Sequence, residues 1–207
     1  MDYLALIVCY LLGAIPFGVI VGKVTRGIDI RDYGSGNIGA SNVLRTLGRG
    51  PAFAVFVLDT IKGTAAVVLC SALGMKPWLV VTGGVLSILG HSFSVFLRFR
   101  GGKGVATSLG IIIGLNPIIA AVAFGVWLLV VGVTRIISVG SILAAASVPA
   151  MMLVWDKHRE YQTVALVAAL LIVVKHASNI RRLIAGTETR IGQRVTVDDE
   201  GDEQCEK

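Results

Sequence analysis

Charge is scarce in this chain for its size. Only 15% of its 207 residues are Asp, Glu, Lys or Arg, whereas 55% are hydrophobic and the mean hydropathy is +0.79. That balance excludes an ordinary soluble domain, which needs a polar surface around its core. Cysteine is also scarce. Cys9 and Cys70 fall inside apolar runs and Cys205 near the end, so no disulfide framework is expected. No carboxylate cluster suggests a metal site, and no cofactor is expected. The opening MDYLALIVCYLLGAIPFGVIVGK carries an acid, not Lys or Arg, before its apolar run, and no small-residue cleavage site follows. It reads as a retained helix, not a cleaved signal peptide.

The apolar residues fall in long blocks with the charges between them, the pattern of an all-α integral membrane protein. Blocks run roughly over 3–22, 51–73, 78–97, 105–133, 138–155 and 163–176. The fourth, at about 29 residues, is too long for one comfortable span and is interrupted by the turn dipeptide Asn116-Pro117. Splitting it there puts Lys23, Arg45, Arg98, Lys103, Arg135, Arg182 and Arg194 on one side of the membrane. The other side keeps only Lys76, Lys157 and Arg159. The positive-inside rule therefore favours about seven transmembrane helices, with the N-terminus outside and the C-terminus in the cytoplasm. Residues 1–194 read as a single transmembrane domain. Residues 195–207 read as a disordered acidic tail, TVDDEGDEQCEK having six acids to one lysine. Trp78, Trp127 and Trp155 read as belt or packing residues.

Three polar segments meet on the cytoplasmic side in this topology. In the first, GSGNIGASNVLR, the residues Gly34-Ser35-Gly36-Asn37-Ile38-Gly39 match G-x-G-x-x-G, and Asp59 lies downstream at about the distance of a ribose-binding acid. The dinucleotide reading fails because Asp59 is inside an apolar block and no βαβ unit surrounds the loop. What remains is a set of free backbone N–H groups with Ser35, Asn37, Ser41 and Asn42, leading into a helical stretch that carries Arg45. Such a loop suits a phosphate. The second segment sets Lys103 among Gly101, Gly102 and Gly104, just before Thr107. It is not a Walker loop, since Leu97 stands where that pattern needs glycine and Gly104 follows the lysine. In the third, KHASNIRRLIAGTE, helical spacing sets Lys175, Asn179 and Arg182 on one face with His176 at its edge. His176 is a candidate for contacting a phosphate or taking the proton of a hydroxyl. Ser138 and Ser141 open the next-to-last span from the same side and are placed to line a site. Asp59 and Lys62, three residues apart within the second block, read as a self-neutralising pair.

GSGNIGASNV, GHSFSVFLRFRGGKGVATSLG and KHASNIRRLIAGTE, in this order and separated by these spans, resemble the three signature loops of the bacterial acyl-phosphate:glycerol-3-phosphate acyltransferases, the PlsY-type family. The similarity runs through about Glu188 and includes the D-x-x-K-G of Asp59, Lys62 and Gly63. Departures are Ser41 where Thr is frequent, Arg100 where Lys is usual, and Ala177 where Arg commonly follows the histidine. The resemblance implies a multi-pass enzyme of the bacterial inner membrane with its site on the cytoplasmic face. It implies transfer of a fatty acyl group from acyl phosphate to sn-glycerol 3-phosphate, giving lysophosphatidic acid and phosphate. His176 and Lys103 are the expected catalytic residues. Substrate binding is expected from Ser35, Gly36, Asn37, Gly39, Ser41, Asn42, Arg45, Gly101, Gly102, Gly104, Thr107, Ser141, Asn179 and Arg182. The expected partners are the two substrates and membrane lipids, with no nucleic acid. No Ser-His-Asp arrangement or adjacent Cys-His pair is evident, which argues against an acyl-enzyme and for direct attack by the acceptor hydroxyl. Two alternatives stand beside this: a small membrane transporter of phosphate-type anions, and an acyltransferase that draws on a soluble thioester.

Overall fold

A computed structural model describes residues 2–156 and 158–193. The acidic tail, Arg194 and Lys157, used above to read charge and domain organisation, lie outside the described residues. Within them the ordered elements are helices: α1 (Asp2–Ala14), α2 (Phe17–Arg26), α3 (Ala40–Thr46), α4 (Arg49–Ala72), α5 (Pro77–Ser92), α6 (Val105–Leu115), α7 (Pro117–Thr134), α8 (Ile137–Trp155), α9 (Arg159–Lys175) and α10 (Ala177–Ile184), with two short 3-10 turns.

Local chemistry explains the breaks. Pro16 stops α1, and the carbonyls left over at the break take side-chain donors from other helices. Ser94 Oγ donates to Ala14 O at 2.6 Å and Lys62 Nζ to Ile15 O at 3.0 Å. Lys62 also lies 2.7 Å from Asp59 Oδ1, so the pair read from the spacing is a buried ion pair that caps a broken helix. Asn116 is the N-cap of α7, accepting from Ile119 N, and Pro117 takes the first helical position.

Asp2–Arg26, Arg49–Ala72, Pro77–Leu97, Pro117–Thr134 and Ile137–Trp155 are long and apolar enough to cross a membrane. A sixth span results if α9 and α10, bent by 55° at His176, are taken together. The fourth apolar block is broken where expected, but α6 has only 11 residues and covers about 16 Å, roughly half a hydrocarbon layer. Of the seven expected segments, α6 is thus a half-length helix. The packing shows where it sits. A Cβ on Gly63 would fall on the Thr107 carbonyl, and one on Gly110 on the Thr60 carbonyl, so α6 lies backbone to backbone against the middle of α4. The first turn of α6 is then level with Asp59–Lys62, roughly 15 Å along α4 from its start at Arg49.

The two ends of the bundle differ. At one, the α6–α7 turn is tied to the α8–α9 turn through Asn116 Nδ2, which donates to Asp156 Oδ2 at 3.1 Å, and Gln162 Nε2, which donates to Asp156 O at 2.8 Å. At the other, the loop before α3, the turn before α6 and the segment around α10 come together. Ile30, Ile38 and Val43 are buried with Val19, Val55 and Leu97, an apolar patch that pins the first loop onto α2 and α4.

Candidate active site

The three polar segments surround one cavity with about 1370 Å³ of empty space, walled by α3, the first half of α4, the start of α6, the middle of α7, the start of α8 and the bend between α9 and α10. Because α6 begins deep, the cavity reaches well into the bundle.

Asn42 organises the first loop. Its Oδ1 accepts from Ser35 N at 2.8 Å and Ser35 Oγ at 3.1 Å, and its Nδ2 donates to Ile30 O and Tyr33 O, both at 3.0 Å. The amide is consumed in shaping the loop, and Gly39 N donates to Asn37 Oδ1 at 3.0 Å in the same way. Ser35, Asn37, Gly39, Ser41, Asn42 and Arg45 border the cavity; Gly36 does not. Gly36 turns the chain outside the wall at φ +65°.

Gly101 and Gly102 are also off the wall. Gly102 N donates to His91 O at 3.0 Å and Gly101 N to Ser92 O at 3.2 Å. A Cβ at Gly101 would fall on the His91 carbonyl, and at Gly102 on the His91 ring. Their smallness lets the turn lie against the end of α5 and carries Lys103 inward. Gly104, at φ +77°, then starts α6. Thr107 is fully buried under Gly63 and outside the cavity lining.

Lys103 Nζ donates to Asn179 Oδ1 at 2.5 Å. Asn179 Nδ2 donates in turn to Glu188 Oε1 at 2.7 Å, which also accepts from Ser138 Oγ at 2.7 Å, while Arg182 Nε donates to Glu188 Oε2 at 2.7 Å. Arg182 is therefore an outer partner of Glu188, not part of the wall. The Glu188 side chain is only 1% exposed. Burial alone would raise its carboxyl, but donors from Asn179, Ser138 and Arg182 outweigh that and hold it below the usual carboxylate range. Burial pushes the Lys103 ammonium down to about 8; Glu188 opposes the shift, and Arg182 and Arg45 add to it.

His176 stands at the bend between α9 and α10, its Nδ1 2.7 Å from Ile172 O. A carbonyl only accepts, so the ring proton sits on Nδ1 and Nε2 is left as an acceptor. Ser141 Oγ donates to Ile137 O at 2.9 Å and accepts from Trp127 Nε1 at 3.3 Å.

Glu188 was not among the residues picked out from the sequence, nor were Arg49 and His91, which also line the cavity with Asp59. His91 Nδ1 lies 3.6 Å from Asp59 Oδ1. Glu188 closes the third polar segment, KHASNIRRLIAGTE, and a lone acid amid basic residues was the available hint.

A second space of about 620 Å³ lies between α6, α7, α8 and α9 and is lined mostly by Ala, Ile, Leu, Val and aromatic side chains. It shares Phe56, Val105, Ala106, Phe124, Trp127 and Ser141 with the polar cavity. A cation-bearing cavity opening onto an apolar chamber, both inside a helical membrane bundle, defines a membrane protein for molecules that are anionic at one end and aliphatic at the other.

The comparisons with known proteins give that class its family. The glycerol-3-phosphate acyltransferase family model matches residues 3–186, and the chain belongs to this family. It is 50% identical over 193 residues to the glycerol-3-phosphate acyltransferase of Synechococcus sp. (strain JA-2-3B'a(2-13)), covering 93% of this chain and 96% of that one. The Trichormus variabilis enzyme of the same name is 44% identical, with 94% and 93% covered. Among solved structures, PlsY, an integral membrane glycerol 3-phosphate acyltransferase, in its glycerol 3-phosphate form matches with TM-score 0.87 at 39% identity, covering 92% of this chain and 96% of that chain. Its lysophosphatidic acid form matches at 0.85 and 38%, covering 93% and 96%.

Proposed function

We propose that this acyltransferase moves a fatty acyl group from an acyl phosphate to sn-glycerol 3-phosphate, yielding lysophosphatidic acid and inorganic phosphate, at the cytoplasmic face of a bacterial inner membrane. The observation that carries the reading is the joined pair of spaces. Arg45, Arg49 and Lys103 suit phosphate groups, and the adjoining chamber suits an alkyl chain.

The acceptor hydroxyl attacks the acyl carbonyl carbon, forming the ester bond as the bond from carbonyl carbon to phosphate oxygen breaks. Phosphate leaves with the electron pair. The hydroxyl proton passes to a donor phosphate oxygen or to Nε2 of His176. Direct attack is supported by the cavity hydroxyls themselves. Of the hydroxyls lining the cavity among the described residues, only that of Ser138 touches a carboxylate, and Glu188, held by three donors, is a weak base for activating it. The protein then acts through proximity and through positive charge facing the phosphates and the developing oxyanion. A transporter of anions finds no support in the family, and the cavity's cations Arg45, Arg49 and Lys103 gather at one end of the bundle instead of being staggered across it.

Acyl phosphate, acyl carrier protein thioester and acyl-CoA of one chain length, assayed side by side with protein in lipid nanodiscs, test the donor. Turnover is expected with acyl phosphate alone; equal turnover with either thioester would overturn the donor assignment. For orientation, Ser35→Cys should react with an impermeant thiol reagent from the cytoplasmic side and Lys76→Cys, in the α4–α5 turn, from the other. Both labelling from one side would overturn it.

A further inference from the structure

We propose that Met152 sets the longest acyl chain the protein accepts, an inference that rests on the apolar chamber being the acyl site. The chamber has a graded wall. On α9, Ala169, Ala168 and Ala165 descend below His176 on one face, and on α8 Ala145 descends below Ser141 in the same way. These small side chains leave open space between the helices through the middle of the chamber.

At the bottom the wall closes. Ile112 from α6 and Val148 from α8 line the floor, and one turn beneath Val148 lies Met152, with no solvent exposure, in a cluster with both of them and Ile119. From Ala165 at the chamber floor to His176 at the polar cavity the chain rises about 16 Å at 1.5 Å per residue. An extended alkyl chain advances about 1.3 Å per methylene, so one starting at the polar cavity runs on the order of a dozen methylenes before meeting the floor. Met152 is the unbranched side chain under that floor, and its removal deepens the chamber without taking away a wall contact.

A chain that overruns the floor must displace packed side chains, and overpacking of this kind costs about 1 to 3 kcal/mol, or about five- to a hundredfold in kcat/KM. In Met152→Ala, the ratio of kcat/KM for a donor two carbons past the wild-type optimum to that for the optimum donor is expected to rise about tenfold. Ala168→Leu, which fills the middle of the chamber, should move the optimum to shorter chains. Leu153→Ala, 67% exposed on the outer face of α8, should leave the length profile as in wild type. The experiment is a series of acyl phosphates of increasing even length, run on each variant in nanodiscs beside its thermal unfolding curve. An unchanged profile in folded Met152→Ala, or in folded Ala168→Leu where the first does not fold, overturns the proposal. If wild type turns over thioesters and not acyl phosphate, the donor assignment fails while the same series, run on thioesters, still reads the ruler.

Discussion

Lys103→Ala is expected to lower kcat/KM on the order of a hundredfold while the protein stays folded. The lysine is carried into the cavity by a turn packed on His91, and among the described residues its ammonium has one acceptor, Asn179 Oδ1. Its remaining donors are free for a substrate phosphate, and a charged hydrogen bond in a partly dry site is worth about 1.5 to 3 kcal/mol. Lys103→Arg should recover little, because a planar fork does not replace a compact ammonium. Arg98→Ala is the control: Arg98 is exposed and outside the cavity lining, so its loss should affect yield in the membrane more than turnover.

The same residue predicts a pH limb. On the proposed function the protonated form binds phosphate, and burial brings the ammonium to about 8, so kcat/KM should fall as pH rises through about 8. In Lys103→Arg that limb should vanish, since the guanidinium stays charged. Near-native kcat/KM in folded Lys103→Ala would remove Lys103 from the phosphate site and make it one more positive-inside residue.

Glu188→Ala should have an effect of similar size by a different route. Glu188 is a positioning residue: it accepts from Ser138, Asn179 and Arg182 and thereby fixes the amide that holds Lys103. Without it, Asn179 Nδ2 and Ser138 Oγ lose their acceptor in a buried setting, at about 1 to 3 kcal/mol for each unpaired group. We expect kcat to fall on the order of a hundredfold, with Glu188→Gln recovering part of the loss by restoring an acceptor. The distinguishing measurement is the basic limb. Glu188 raises the Lys103 pKa, so its removal should move the fall in kcat/KM to lower pH. A packing role alone would leave that limb where it is in wild type.

Much of the site could be read along the chain because its residues are out of place there. Gly, Ser, Asn and Lys crowded between long apolar blocks stand out, and Ser35, Asn37, Arg45, Lys103, Ser141, His176 and Asn179 all border the cavity. The glycines misled for a physical reason. An open backbone can receive an anion or can allow another chain segment to approach, and only packing distinguishes the two. Gly101 and Gly102 make room for His91. Asn42 likewise looked like a free donor, whereas its amide staples its own loop.

Membrane class and helical character are legible from hydropathy because transfer free energy sums over a window of neighbouring residues, and the break at Asn116-Pro117 is legible because capping is local. Glu188 gains its role from Ser138, far away in the chain, and from Lys103, which reaches it through Asn179. The depth at which α6 starts follows from its backbone contact with α4, and the chamber floor from α6, α7 and α8 meeting at Ile112, Ile119 and Met152. Those features arise from contacts between helices separated by tens of residues, and no local sum contains them.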